Sequence, residues 1–398
     1  MKVIYISALS SQRLINAIYE STGRNPGFAV QKFSRLLVKG LVGNGIDCST
    51  LSNAPITDSF SESRIISLKD ETEGDIRYRY IPYINLPFLK HLCVLFYTLF
   101  YIIRWGLKGK EDKVVICDVL CISASLGALL ATKLCRIKSV AVVTDIYDQM
   151  VGKIPHGIKG IKSKLAGALN RWYVTSFSSY VLLTEAMNTV VNPKDRPYIV
   201  MEALCDIEAF EEISDMIPKD YPKVVMYAGG LEERYGLKML VEAFKSLVNR
   251  DWELHLYGSG SYVNELRKDI EDISYIKYFG VKSNEEIMRA EKRASLLVNP
   301  RFTTEEFAKF SFPSKNMEYM VSGTPVLTTR LPGMPFEYHE YVFLFAEESV
   351  EGYAKVLEHI QDMEERVLTD KGISAKEYVI RSKNYLLQAR RIVDMISN

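Results

Sequence analysis

The chain has 398 residues, enough for two or three domains and for a sizeable core that needs no metal or disulfide staple. Hydrophobic residues make up 47% and charged residues 25%, which excludes a disordered or fibrous protein. Fifty basic side chains against 49 acidic ones leave a net charge of +1, which excludes a globally basic nucleic-acid coat.

The opening MKVIYISALSS has no apolar run of leader length after Lys2 and reads as a first strand. No segment reaches the ~18–20 apolar residues of a spanning helix. Further β-rich runs follow: DCSTLS (Asp47–Ser52), RYRYIPYI (Arg77–Ile84), KVVICD (Lys113–Asp118), KSVAVVTD (Lys138–Asp145), SYVLLT (Ser179–Thr184) and PYIVM (Pro197–Met201). Helical spacing recurs between them, over Phe28–Val42 and Ser123–Leu134. Leu92–Ile103 (LCVLFYTLFYII) is apolar apart from Thr98 and is flanked by Lys90, His91 and Arg104. It reads either as a buried helix or as a face that touches a bilayer. Between Asp148 and Glu185 there is no acid, while Lys153, Lys159, Lys162, Lys164 and Arg171 share the window with helically spaced apolar residues and Trp172. That pattern fits a membrane-surface helix or a solvated basic face over a core stripe.

The alternation breaks between Ala203 and Asp220, an acid-rich stretch with Pro218, where a linker is expected. It then resumes with KVVMYA (Lys223–Ala228), ELHLY (Glu253–Tyr257), YIKYF (Tyr275–Phe279), SLLVN (Ser295–Asn299), PVLTT (Pro325–Thr329) and YVFLF (Tyr341–Phe345). Helices are predicted over Leu237–Val248, Tyr262–Ile273, Asn284–Arg293, Ser314–Val321 and Val350–Glu364, and a last long helix over Ser374–Asn398. Strand alternating with helix predicts parallel sheets covered on both faces. The break predicts two such domains. Ligands of open α/β sheets sit beyond the carboxyl ends of the strands, so the loops after strands hold the candidate site. The six cysteines are scattered and lack metal-site spacing, which suits reduced, buried thiols.

The most informative run is FSFPSKNMEYMVSGTP (Phe310–Pro325). Pro313 breaks what precedes, Ser314 is the expected N-cap, and Gly323 stops the helix before a strand starts at Pro325. A helix N-terminus beside Lys315 suits an anion, and Glu318, one turn in, can accept hydrogen bonds from a vicinal diol such as ribose. Alternatively, the run is only a capped helix whose Glu complements the dipole.

PSKNMEYMVSGTPVL resembles the donor-nucleotide motif of the family 4 (GT-B) glycosyltransferases. There, the second Glu of an E-x7-E signature holds the ribose, and Glu318 matches it. The first Glu falls on Phe310, a departure from the signature, with Glu305 and Glu306 as nearby stand-ins. YAGGLEERYGL (Tyr227–Leu237) is similar to the family's diphosphate turn. Gly229 and Gly230 fit its loop, and Arg234 is the nearest cation. Many relatives carry Arg where this chain has Gly230. HLYGSG places Gly258 and Gly260 at a strand end, a feature a plain tight turn also explains. Tyr278–Val281, with Phe279, resembles the strand lining the nucleobase pocket. In the first half, Gly27 before the Phe28 helix resembles the family's glycine loop. Asp145 follows a strand where relatives carry a polar residue, and Glu185 also ends one. Both acids also suit helix starts.

The resemblance implies an α/β protein of GT-B architecture, with two Rossmann-like doubly wound domains facing a cleft. Residues 1–205 would bind the acceptor and residues 206–373 the nucleotide sugar, and a helix over 374–398 would pack back on the first domain. It implies a retaining transferase with no cofactor or essential metal beyond a UDP- or GDP-linked sugar co-substrate. Asp145, Glu305 and Glu306 are the catalytic candidates. Gly27, Gly229, Gly230, Arg234, Gly258, Phe279, Ser314, Lys315 and Glu318 are the donor-binding ones. The expected partners are a nucleotide-sugar donor, a saccharide or lipid-linked acceptor of surface-polysaccharide assembly, and an anionic membrane surface, without nucleic acid. The expected location is cytoplasmic, peripheral at the inner face of the membrane. The alternatives are a non-catalytic partner subunit on the same fold, suggested by Phe310, or a nucleotide-sugar epimerase.

Overall fold

The computed structural model describes residues 1–23, 27–56, 63–146, 158–206, 208, 218–221, 223–249 and 251–397. The chain forms two units: residues 1–204 with 385–398, and residues 205–384. The sequence boundary at 373/374 lies inside a helix, and the division of the structure falls after Asn384.

The first unit is built on strands β1 (Lys2–Ser7), β2 (Asp47–Ser52), β4 (Glu71–Glu73), β5 (Ile76–Tyr80), β7 (Lys113–Asp118), β8 (Lys138–Val143), β9 (Ser179–Leu182) and β10 (Tyr198–Val200). Their order in one sheet is β10-β9-β8-β7-β1-β2-β5-β4. Every pairing is parallel except β4 with β5. β1 and β7 read as unbroken β-branched apolar runs and are buried almost throughout, as strands covered on both faces must be. A separate ribbon pairs β3 (Ile65–Ile66) with β6 (Tyr83–Ile84).

Among the described residues, seven helices serve this unit: α1 (Gln12–Thr22), α2 (Phe28–Gly43), α3 (Leu89–Gly106), α4 (Ile122–Cys135), α5 (Ile158–Val174), α6 (Glu185–Val191) and the C-terminal helix Tyr385–Ser397. That last helix packs on α2. A Cβ on Gly40 would lie 2.3 Å from the Tyr385 carbonyl oxygen, so glycine permits the close crossing. The basic stretch singled out in the sequence lies largely outside the described residues. Lys153 is beyond them, as are the side chains of Lys159, Lys162 and Lys164, while Arg171 and Trp172 are exposed on α5.

The second unit has a six-stranded sheet: β11 (Lys223–Gly230), β12 (Trp252–Ser259), β13 (Ile276–Gly280), β14 (Leu296–Asn299), β15 (Val326–Thr328) and β16 (Phe343–Leu344). The order β13-β12-β11-β14-β15-β16 is parallel throughout. In chain order this is 3-2-1-4-5-6, the Rossmann arrangement, whose strand order reverses between β11 and β14. Helices α7 (Leu237–Ser246), α8 (Val263–Asp269), α9 (Asn284–Arg293), α10 (Ser314–Ser322), α11 (Val350–Gln361) and α12 (Glu365–Lys383) flank it. Val225, Leu254, Leu296 and Leu327 from four strands pack with Leu240, Phe244 and Tyr353 in one core. α9 begins with a reciprocal capping box between Ser283 and Glu286.

Where the sequence predicts a single C-terminal helix, the chain breaks at Asn384. Its backbone is extended there and bridges Cys205. Tyr385 starts the final helix, hereafter α13.

Candidate donor site at the strand-order switch of the second unit

The strand order reverses between β11 and β14, and the chain after β11, β12 and β14 meets the start of α10 there. β11 ends in Gly229 and Gly230. Gly258, at the end of β12, has φ 123° and lies so close that a Cβ would meet the Gly229 carbonyl oxygen at 1.8 Å. Only glycine permits that approach. β14 runs into Pro300 and Arg301. The arginine's carbonyl accepts from the Thr329 hydroxyl, and the Thr303 N–H donates to Glu348 at 3.0 Å.

α10 is bolted across these ends by buried polar contacts. The Asn316 side chain accepts from Asn299 Nδ2 at 2.7 Å and donates to Thr328 Oγ1 at 3.2 Å. The Tyr319 hydroxyl bridges the Ala228 N–H, at 2.9 Å, and its carbonyl, at 3.2 Å. This anchoring aims Lys315 at the glycine loop. A Cβ on Gly229 would lie 2.2 Å from Lys315 Cε and 2.8 Å from its Nζ. The lysine rests on the glycine, and a side chain there would have to push the lysine's end aside.

Ser314 does not cap the helix as expected. Pro313 occupies the cap position and makes no side-chain hydrogen bond, while Ser314 is the exposed first helical residue. The Asn316 N–H is met by the Pro313 carbonyl at 2.9 Å. The C-terminal stop holds as expected, with Gly323 at φ 78°. Glu318 sits three residues after Lys315, half-buried on the same side of α10.

Arg234 lies in a 3-10 turn, Glu233–Tyr235, before α7. Its guanidinium covers the Tyr235 ring at 5.2 Å and the Phe307 ring at 5.6 Å. Arg301, which the sequence reading missed, covers the same two rings at 5.6 and 4.5 Å. Its buried Nε has no hydrogen-bond partner among the described residues. Burial and, behind it, the Arg234 charge pull the Arg301 guanidinium below its ordinary pKa, with Tyr235 and Glu305 opposing. Neither arginine nor Lys315 has an ion pair with a carboxylate among the described residues. Lys315 thus lies against Gly229, while Arg234 and Arg301 cover the Tyr235 ring, whose edge lies 3.3 Å from where a Cβ on Gly230 would sit. A signal for Arg301 was available: it is the second residue past a strand end, but only the strand order reveals that β14 adjoins β11.

Glu305 precedes a 3-10 turn that contains Glu306 and Phe310. Phe279 is exposed at the end of β13, stacked on Tyr257 at 4.8 Å and edge-on to His255 at 4.8 Å. That ring offers a flat surface to a base. Glu253, between His255 and Lys277, is held below the usual carboxylate pKa: burial works against it, and hydrogen bonds from both neighbours outweigh burial.

In the first unit, Gly27 starts α2 at φ 87°. Gln31, one turn on, ties that helix start to the end of β1, accepting from the Ser10 N–H at 2.8 Å and donating to the Ala8 carbonyl at 2.8 Å. Asp145 is exposed beyond β8, and its Oδ1 accepts from the Ile146 N–H at 2.8 Å. Glu185 is the first residue of α6 and accepts from the Tyr198 hydroxyl at 2.6 Å. Gly27 and Asp145 therefore both lie at the carboxyl edge of their sheet.

Among the described residues, no group of three His, Cys, Asp or Glu side chains is arranged to hold a metal ion.

Residues 222–362 match the family described as glycosyl transferases group 1. No curated protein matches the sequence. Solved structures resemble the whole chain at low identity. A glycosyltransferase from Rickettsia africae is 16% identical with a TM-score of 0.65, covering 99% of this chain and 97% of that one. The lipopolysaccharide outer core galactosyltransferase WaaB is 14% identical with a TM-score of 0.62, covering 100% and 99%. Anabaena Alr3699/HepE, solved with UDP and glucose, is 14% identical with a TM-score of 0.61, covering 100% and 99%. The fold of the chain is that of the GT-B glycosyltransferases. The family match falls within the second unit.

Proposed function

We propose that the protein transfers a sugar from a UDP- or GDP-linked donor to a saccharide or lipid-linked saccharide, with retention of configuration, in surface-polysaccharide assembly at an anionic membrane surface. The observation that carries the reading is the cluster of Arg234, Arg301 and Lys315 around Gly229 and Gly230. Three cations that make no direct ion pair with a carboxylate among the described residues suit a diphosphate, whose negative charge grows as the glycosidic bond breaks. Fixed cations stabilise that developing charge without reorganising. Glu318 accepts from the ribose hydroxyls, Phe279 flanks the base, and Glu305 or Glu306 contacts the donor sugar. Gly27 and Asp145 serve the acceptor side of the reaction. No cofactor or metal beyond the donor is needed in this scheme, because the side chains supply the compensating charge. The solved neighbour that holds UDP and glucose supports a nucleotide-sugar donor for this fold.

Phe310, at the first signature Glu, favours one rival: a partner subunit that binds nucleotide without turnover. Release of nucleoside diphosphate from a nucleotide sugar separates the two, since a scaffold releases none.

A further inference from the structure

We propose that the exposed face of α3 docks flat on an anionic bilayer. The inference deepens the membrane-facing part of the proposed function and rests on residues remote in sequence from the donor site. Phe88, Leu92, Phe96 and Phe100 recur every four residues, on one side of the helix, and are 75, 37, 49 and 65% exposed. Val94, Thr98 and Ile102 line the other side and are buried. The orientation is fixed by α4: a Cβ on Gly127 would lie 2.4 Å from the Leu95 carbonyl oxygen. Phe96 and Phe100 stack on each other at 6.5 Å, so their outer edges present apolar area to solvent. The apolar surface continues onto the β3–β6 ribbon, where Ile65 and Ile84 face each other across the strands and both are exposed. Phe88, which precedes the helix, has φ 65°, an uncommon conformation for a bulky residue.

Charge chooses the occupant. From Leu86 to Lys110 there is no acid, where the average of this chain would place about three. Arg104, Lys108 and Lys110 are exposed at the helix end. The nearby carboxylates Glu111 and Asp70 are committed to Lys2, at 2.8 Å, and Arg79, at 2.7 Å. Asp112, also exposed, follows at the edge, so a second copy of this chain would bring together two rims in which Arg104, Lys108 and Lys110 outnumber the one uncommitted acid among the described residues there. An anionic headgroup layer meets both the rings and the cations. No helix among the described residues is long and apolar enough to cross a membrane, and α3 is tied into the fold at both ends, so it lies on the surface.

The test is flotation of the full chain with phosphatidylcholine vesicles and with 70:30 phosphatidylcholine:phosphatidylglycerol vesicles, alongside sedimentation equilibrium. Wild type should partition onto the anionic vesicles and stay monomeric without them. The double substitution Phe96→Glu/Phe100→Glu should lower partition about 30-fold or more, corresponding to roughly half-burial of each ring. Arg104→Ala/Lys108→Ala should lose up to about 30-fold on anionic vesicles only, from the ~1 kcal/mol each cation contributes near such a surface. The proposal is overturned if the double Glu variant floats as well as wild type, or if wild type ignores vesicles. It is equally overturned if wild type is a dimer that the Glu pair dissociates. Nucleoside diphosphate titrated against each variant keeps the two ideas apart: binding should be unchanged throughout, and its absence from wild type would count against the donor site alone.

Discussion

Replacing Arg301 by Ala gives the cation cluster a direct trial. In the ligand-free protein the guanidinium is partly buried, its Nε lacks a partner, and Arg234 shares both of its aromatic neighbours. Removing it relieves like-charge repulsion and a desolvation cost, and loses cation–π contacts of about 0.5–2 kcal/mol. The net change in stability should be within about 1 kcal/mol of zero. With a diphosphate bound, the same guanidinium makes charge-assisted hydrogen bonds of ~1.5–3 kcal/mol. Arg301→Ala should therefore weaken nucleoside diphosphate about 10- to 150-fold and leave the nucleoside alone. Arg301→Lys, which keeps charge but not the planar fork, should fall between. Calorimetric titration with thermal melts reads both quantities. A strongly destabilised variant with unchanged diphosphate affinity would show that Arg301 only holds the Tyr235–Phe307 packing, and the cluster would lose its meaning.

Two further outcomes follow from single carboxylates. Glu318→Ala should cost about 2–3 kcal/mol of donor affinity and abolish discrimination between ribo- and 2′,3′-dideoxyribonucleoside diphosphates, with Glu318→Gln intermediate; equal discrimination by wild type and Glu318→Ala makes Glu318 a helix residue only. Asp118, buried at the end of β7 with Oδ1 accepting from the Leu120 N–H at 2.9 Å, has its carboxyl pushed up from 3.8 to about 6 by burial. Its folded pKa is raised, so the folded state holds the proton more tightly and stability falls as pH rises from about 4 to about 6. Asp118→Asn keeps the acceptor and should stabilise the protein by roughly 2–3 kcal/mol at pH 7, at ~1.4 kcal/mol per unit, with the gain vanishing below about pH 4. A gain independent of pH in chemical denaturation would contradict this.

The two-domain alternation was legible because buried parallel strands write themselves as β-branched runs such as KVVICD and KVVMYA, the second bounded by Pro222 and Gly229. The α10 helix was legible from Pro313 and Gly323. Its true cap was not, since Pro313 and Ser314 both suit a helix start and only backbone geometry decides between them. Arg301 escaped because its place two residues past a strand end means little until the strand order sets β14 beside β11; its place over the Tyr235 and Phe307 rings follows from that order. The break at Asn384 escaped because helical spacing runs through it, and the extended residue is held by a bridge to Cys205, far away in sequence. For Leu92–Ile103 the sequence left a buried and an exposed helix open. The spacing of four in Phe88, Leu92, Phe96 and Phe100 is a property of the sequence, but which side α4 covers is a tertiary fact.

The central claim is that the protein turns over a nucleotide sugar through the Gly229–Gly230 site. The most direct measurement is release of nucleoside diphosphate from UDP- and GDP-sugars, with and without saccharide acceptors, for wild type and for Lys315→Ala. Wild type should release product from at least one donor, and faster with an acceptor. Lys315→Ala should be slower by ten- to a hundredfold or more, as removal of one preorganised charge partner predicts. Nucleoside diphosphate that binds tightly but is never released from any donor would leave the protein a nucleotide-binding subunit and contradict the account.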